Sequence, residues 1–204
     1  KRRGQHDGIQ CLVSNPAQKC PSSWSGFLRV GRNKLSFLHF LEKEWCKDAY
    51  AHHFSACPVV LSVEDRCWKF DSSGTSVVRE ALPLLQSTQE EADTKLFLHA
   101  ADAIQGGASC IVIQSPDTDV AIIGVALASQ LGGKVLFRTG TKHRKRVIDL
   151  SEIARTIGPT AASAVIPLHA LTGCDSVSAF SGRGKKRAFS LLKNEKMACI
   201  GKEF

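Results

Sequence analysis

The second half of the chain alternates apolar runs with stretches of helical periodicity. Apolar positions at helical spacing predict an amphipathic helix that ends before Gly106. The apolar run 109–114 predicts a strand of the kind that is buried in a parallel sheet. A helix over 120–131 and a strand over 134–138 follow. This order predicts an α/β fold with a mainly parallel central sheet flanked by helices.

The remaining pattern is less regular. Residues 1–32 predict loops, and apolar spacing over 34–46 predicts a helix. Short strands are expected on either side of the turn at 64–65, followed by a loop over 71–74. Residues 139–146 predict a basic turn, and further helices are expected from 151, over 159–171 and over 185–193. We therefore expect an irregular helical N-terminal part, residues 1–80, before an α/β core over 81–204.

The composition of the 204 residues predicts a globular domain, because 43% are hydrophobic and only 23% are charged. A membrane span is not expected. The longest uncharged run, 156–174, contains Gly158, Pro159 and Pro167, which disfavour a lipid-exposed helix. The first residue is not Met and no apolar signal follows it, so we expect a non-secreted fragment of a longer protein. Residues 1–80 then represent a partial N-terminal region, arch-like element or linker.

Eight scattered cysteines without a CxxC pair predict an intracellular protein with reduced thiols. Cys110 and Cys174 are expected to be semi-buried. Cys46, His52, His53 and Cys57 come nearest to a zinc pattern. This group lacks a second ligand pair at finger spacing, so zinc is disfavoured there.

The charge is strongly segregated along the chain. Residues 1–71 carry 11 Lys and Arg against 7 Asp and Glu, residues 72–137 carry 3 against 7, and residues 138–204 carry 13 against 5. An acidic middle between basic flanks suits a metal site beside a surface that binds a polyanion. The alternative is chance segregation on a solvated surface.

The strongest chemical signal is the sequence Ser-Pro-Asp-Thr-Asp at 115–119. It follows a predicted buried strand and precedes a predicted helix, which places it where open α/β sheets carry their sites. Asp117 and Asp119 are two residues apart and can point at one hard cation such as Mg²⁺ or Mn²⁺. The alternative is a purely structural turn in which Asp117 or Thr118 caps the helix.

Two weaker acidic signals flank this one. Glu-Glu-Ala-Asp at 90–93 lies in the first turn of a predicted helix, where acidic residues also stabilise the helix dipole. A capping box between Ser87 and Glu90 explains part of this pattern without any site. Thr-Gly-Cys-Asp at 172–175 follows an apolar helix, and its structural alternative is an ordinary turn.

The three motifs occur in an order that resembles a known family. Glu-Ala-Asp at 91–93, Asp-Thr-Asp at 117–119 and Gly-Cys-Asp at 173–175 are similar to the internal nuclease region of flap endonuclease and XPG-type proteins, which are PIN-like nucleases. The amino-acid sequences of these motifs look closer still to uncharacterised, transposon-associated animal proteins of that superfamily. The resemblance covers about residues 85–195. It departs from the family pattern at Asp93, where the family has Glu.

The resemblance implies a metal-dependent nuclease that hydrolyses phosphodiester bonds in branched or flapped DNA. Its two-metal site, for Mg²⁺ or Mn²⁺, would be formed by Glu91, Asp93, Asp117, Asp119 and Asp175. Five carboxylates in one cleft would repel one another unless cations neutralised them. Relatives also use acidic residues from an N-terminal strand pair without a convincing equivalent here. We therefore expect one or two ligands to be missing from this chain.

Two basic runs are candidates for binding nucleic acid. The first resembles the Gly-X-Gly turn with which these nucleases grip a duplex, and it comprises Gly182, Arg183, Gly184, Lys185, Lys186 and Arg187. The second comprises Lys142, Arg144, Lys145 and Arg146, and can also act as a nuclear localisation signal. The structural alternatives are a solvated first helical turn and a plain hairpin turn. The expected partner is DNA rather than RNA, and the expected location is the nucleus.

Three other functions remain as alternatives. The first is a nucleic-acid-binding module of the same fold that has lost its chemistry. A phosphatase of the haloacid dehalogenase type is disfavoured, because Ser115 and Pro116 separate the strand from the first Asp. A thiol nucleophile is disfavoured because Cys174 and His169 are five residues apart around a helix end.

Overall fold

The computed structural model of the chain describes residues 9–87, 92–141, 144–174 and 184–192. The chain divides into two compact units, which we call the N-terminal unit (residues 2–90) and the C-terminal unit (residues 91–204). No helix in these described ranges is long and apolar enough to cross a bilayer.

The described part of the N-terminal unit combines three α-helices and two 3₁₀ helices with an antiparallel sheet. Its elements are α1 (Trp24–Arg29), α2 (Gly31–Glu44), a 3₁₀ helix (Asp48–Tyr50), α3 (Ala51–Phe54), β1 (Val59–Val63), β2 (Arg66–Ser73), β3 (Ser76–Ala81) and a second 3₁₀ helix (Pro83–Leu85).

The three strands form a meander in the order β1-β2-β3. The strands expected around Glu64 are confirmed, and Glu64 adopts a φ of 57° in the turn between them. The loop expected over 71–74 is wrong, because β2 continues to Ser73, which pairs with Ser76 of β3. The turn is confined to the residues around Gly74, whose φ of 75° permits this tight reversal.

The core of the N-terminal unit is aromatic. Phe70 of β2 is fully buried, with its ring 5.7 Å from that of Trp45 and 5.9 Å from that of Phe54. The buried Glu42 of α2 forms a two-point ion pair with Arg66: Oε1 lies 3.2 Å from Nη1, and Oε2 accepts a hydrogen bond from Nη2 at 3.3 Å. Glu42 also contacts Nδ1 of His39 at 3.3 Å. A paired carboxylate therefore joins α2 to β2.

The C-terminal unit has an α/β order. Its elements are α4 (Ala92–Gln105), β4 (Cys110–Gln114), α5 (Thr118–Leu131), β5 (Lys134–Thr141), β6 (Arg144–Asp149), α6 (Leu150–Ile157), α7 (Pro159–Leu171) and α8 (Lys185–Leu192).

The expected mainly parallel central sheet is wrong. The described residues contain two separate three-stranded sheets, one antiparallel in the N-terminal unit and one mixed in the C-terminal unit. In the mixed sheet β4 and β5 are parallel, joined by α5, whereas β5 and β6 are antiparallel. The basic stretch expected to be a turn is mostly strand, with Thr141 paired to Arg144. A short connection can join antiparallel strands only, so β6 returns beside β5.

The mixed sheet buries one of its faces. Ile113, Val135 and Phe137 alternate inward and form a core with α5, α6 and α7. The opposite face carries Cys110 and Val112, both exposed. β4 is therefore half-buried rather than fully buried, and the semi-buried position expected for Cys110 is wrong. Cys174 has the intermediate burial that was expected.

Candidate functional site

The loop after β4 is organised by a chain of short hydrogen bonds. The backbone N–H of Ser115 donates to the carbonyl of Arg138 at 3.2 Å, which extends the pairing with β5. The Ser115 hydroxyl is buried and accepts from the N–H of Asp117 at 3.0 Å. Oδ1 of Asp117 then accepts from the N–H of Asp119 at 3.0 Å. The loop thus holds both aspartates at the carboxyl end of a parallel strand, as the sequence predicts.

Asp117 is the N-cap of α5, which confirms the capping role that the sequence allowed for it. Thr118 is the first residue of the helix rather than its cap. The capping bond engages one of the two oxygens of the Asp117 carboxylate. Capping and cation binding are therefore compatible functions of this side chain.

Asp119 contacts a residue from a distant part of the chain. Its Oδ1 atom lies 3.0 Å from Nε2 of His169, in the last turn of α7. Nε2 is buried and is not aligned for a hydrogen bond to that carboxylate, so the contact is close but not directional. The His169 side chain is 18% exposed, which reduces the screening of its interaction with Asp119 by water.

Lys185 completes a three-residue chain. Its Nζ lies 2.8 Å from Nδ1 of His169. A lysine ammonium only donates, so Nδ1 of His169 is the acceptor in this contact. The arrangement Asp119–His169–Lys185 joins the first turn of α5, the last turn of α7 and the first turn of α8.

The expected carboxylates are brought together only in part. Asp117 and Asp119 share one loop, and Asp93 lies in the first turn of α4. Glu91 and Asp175 lie outside the described residues. The part of the chain that the structure describes contains no group of three or more Asp, Glu, His or Cys that could hold a metal ion.

The expected nucleic-acid contacts are exposed where the structure describes them. Arg144, Lys145 and Arg146 lie on β6, and Gly184, Lys185, Lys186 and Arg187 lie at the start of α8. Lys142, Gly182 and Arg183 lie outside the described residues. Lys185 has a second role that the sequence analysis missed, because it contacts His169.

His169 is the main site residue that the sequence analysis missed. We considered it only as a partner for the Cys174 thiol. The available signal was its position as the basic residue in the last turn of the otherwise apolar α7, close to Gly173 and Cys174.

Asp149 provides an internal comparison for Asp117. It caps α6, where its Oδ1 accepts from the N–H of Glu152 at 2.9 Å. This backbone hydrogen bond, helped by Lys134 at 3.2 Å, holds the pKa of Asp149 below its ordinary value against the opposing effect of partial burial. Among the described residues of the C-terminal unit, Asp117 and Asp149 both cap helices, and Asp149 lies outside the Asp-Thr-Asp loop.

Comparison of the chain with protein-family models, with curated proteins and with solved structures gave no match.

Proposed function

We propose that the C-terminal unit is a PIN-like, divalent-metal-dependent nuclease that hydrolyses phosphodiester bonds in branched or flapped DNA. The contact between Asp119 and His169 is the observation that carries this proposal. It joins the Asp-Thr-Asp loop to the end of α7, from which the Gly-Cys-Asp motif follows directly. One motif therefore contains Asp119, and another begins four residues after the histidine that Asp119 contacts.

The donor chemistry of the loop fits Mg²⁺ or Mn²⁺. Both ions prefer oxygen ligands, and Mg²⁺ is commonly held by one or two carboxylates together with waters and substrate phosphates. Asp117 and Asp119 would supply the two carboxylates, and Asp93, Glu91 and Asp175 are the further candidates. When bound, the ion would polarise the scissile phosphate and lower the pKa of a bound water.

The protein's own groups would position the site. Ser115 and the N-terminus of α5 fix the Asp117 side chain, and His169 lies against the Asp119 carboxylate. Lys185 places positive charge at the other nitrogen of the His169 ring, and Lys186 is the next residue of α8, so a DNA backbone would be attracted there. The Asp119 carboxylate and the Lys185 ammonium, which would bind a metal ion and a phosphate, therefore contact the same imidazole ring.

The test is cleavage of a flapped DNA by the full-length protein with Mg²⁺ or Mn²⁺. Asp117→Asn is the informative variant, because Asn keeps the cap of α5 and removes the negative charge. We expect cleavage to fall at least about a hundredfold. Asp149→Asn is the matched control, since it changes a capping aspartate outside the loop and should leave cleavage unchanged.

Cleavage that persists in a chelator, or that Asp117→Asn leaves intact, would contradict the proposal. Circular dichroism and thermal unfolding of both variants show whether the folds are retained.

A nucleic-acid-binding module without chemistry is the second candidate. It is favoured by the exposed basic side chains on β6 and at the start of α8. In that case the full-length protein binds flapped DNA with a strong dependence on salt concentration and does not cleave it with either metal.

A further inference from the structure

A cavity of about 270 Å³ lies between α5, α7 and α8 within the C-terminal unit. Its walls are apolar and are formed mainly by Ile122, Leu168 and Phe189. Its polar lining residues include His169 and Lys186. No acidic side chain lines it in the described part of the chain, so it suits an apolar group that carries negative charge.

The position of the cavity relates it to the Asp-Thr-Asp loop. His169 lines the cavity and also contacts Asp119 at 3.0 Å, so a single imidazole separates the cavity from the Asp119 carboxylate. Lys185 is held at the same place by its contact with His169 at 2.8 Å. A ligand in the cavity would therefore have an anionic group beside two lysines and next to the proposed reaction site.

We propose that this cavity holds one unpaired nucleobase of the DNA substrate, stacked against Phe189, with its phosphate near Lys185 and Lys186. The proposal rests on the proposed function, and it specifies the substrate class. Aromatic side chains beside basic groups are the usual means of holding single-stranded nucleic acid. A base within a duplex is stacked and paired, so it would have to leave the helix to enter such a cavity.

The cavity is large enough for one base. Its volume of about 270 Å³ lies just below the range of roughly 300–1,000 Å³ that is typical of pockets for drug-sized ligands. The phosphate of that nucleotide would remain outside the cavity, beside the lysines. The substrate is therefore expected to need at least one unpaired nucleotide beside the cleaved bond.

The test measures binding rather than cleavage, with the full-length protein in EDTA. Three oligonucleotides are compared by fluorescence anisotropy: a flapped DNA with an unpaired thymidine next to the junction, the same DNA with an abasic residue at that position, and a fully paired duplex. The first two have identical phosphates, so their affinity ratio reports the base alone. We expect about tenfold tighter binding of the base-bearing flap than of the abasic one.

Two variants test the location. Ile122→Phe fills the cavity and should bring the affinity ratio close to one. Phe189→Ala removes the stacking surface at a side chain that is 38% exposed, so it carries the test if Ile122→Phe does not fold. Ser190→Ala, the next residue of α8, is the matched control outside the cavity lining and should keep the ratio.

The outcomes separate the two proposals. Equal affinity for the base-bearing and abasic flaps overturns the cavity proposal, even if the protein cleaves DNA with Mg²⁺. A base-dependent ratio that neither cavity variant changes also overturns it, because the base then binds elsewhere. The third outcome is an affinity ratio that both cavity variants reduce, in a protein that does not cleave DNA with either metal. This outcome supports the cavity proposal and contradicts the proposed nuclease activity.

Discussion

Oδ1 of Asp119 and Nε2 of His169 lie 3.0 Å apart although the two residues are far from each other in the chain. The contact connects the start of α5 to the end of α7. Because Lys185 contacts the other nitrogen of the same ring, the imidazole lies between a carboxylate and an ammonium group. His169 is therefore a positioning residue for the Asp119 carboxylate in the proposed site.

His169→Ala should lower the affinity of the proposed site for Mg²⁺ without unfolding the protein. Groups that orient a ligand carboxylate typically contribute about 10–100-fold to metal affinity or activity. We expect the Mg²⁺ concentration for half-maximal cleavage to rise by about that factor, measured by titrating Mg²⁺ at a fixed DNA concentration. His169→Gln keeps a polar side chain of similar length and should recover part of the loss. An unchanged Mg²⁺ dependence in His169→Ala would show that the contact has no positioning role.

Gly124→Ala should destabilise the C-terminal unit. A Cβ at this position would collide with Cδ1 of Leu150, which is almost fully buried. Forcing extra volume into a packed core costs about 1–3 kcal/mol of unfolding free energy. Urea unfolding followed by circular dichroism measures this loss.

The control is Gly31→Ala, where a Cβ would meet no atom within 4 Å. It should be neutral or slightly stabilising, since Ala favours helix α2 more than Gly does. Equal effects of the two substitutions would mean that α5 is not packed closely against Leu150.

Arg66→Met should destabilise the N-terminal unit by about 2 kcal/mol, because it leaves the buried Glu42 carboxylate without its two-point partner. Double-mutant cycles with Glu42→Gln should show that the two losses are not additive. Lys69→Met, which removes the more exposed ion pair with Asp71, is the comparison and should have a much smaller effect. If the losses of unfolding free energy caused by the Arg66 and Glu42 substitutions were additive, the two side chains would not be energetically coupled.

His99 should make the stability of the C-terminal unit depend on pH. Burial, with a smaller contribution from Lys95, lowers the pKa of His99 below its ordinary value of 6.5, although Asp102 opposes this. The unfolded chain then binds a proton at a higher pH than the folded chain does. The contribution to stability is complete above about pH 6.5 and is lost as the pH falls towards the folded pKa.

Urea unfolding at pH 7.5 and pH 5.5 should therefore show a smaller loss of stability for His99→Gln than for the unmodified chain. An identical loss in the two proteins would exclude His99 as its source.

The helices of the C-terminal unit could be predicted from the sequence because their apolar spacing and their flanking glycines agree. The bounds of α7, Pro159–Leu171, are those expected. The strand segments that escaped prediction were β3 and the first half of β6, which are largely exposed. Both lie at sheet edges, where polar and basic side chains are tolerated and the usual apolar signal is absent. The start of β6 lies directly after the short connection from β5. Because this part gives no strand signal, the sequence pattern hides the antiparallel return beside β5, and a mainly parallel sheet is wrongly expected.

The Asp-Thr-Asp loop could be placed from the sequence because a strand and a helix flank it closely. The contacts of His169 with Asp119 and Lys185 could not be predicted in this way. They depend on how α5, α7 and α8 pack, and local periodicity does not determine long-range packing. The same limit applies to Glu42, a charged residue whose burial depends on Arg66 from a later strand.

The capping role of Asp117 makes the stability of α5 and the charge of the proposed site separable properties of one side chain. Ser or Asn at this position would still begin the helix. A related chain could therefore exchange Asp117 for Asn or Ser, lose the carboxylate and remain folded. Under the proposed nuclease function, Asn or Ser at this position in a homologue would identify a chain that folds but does not cleave DNA.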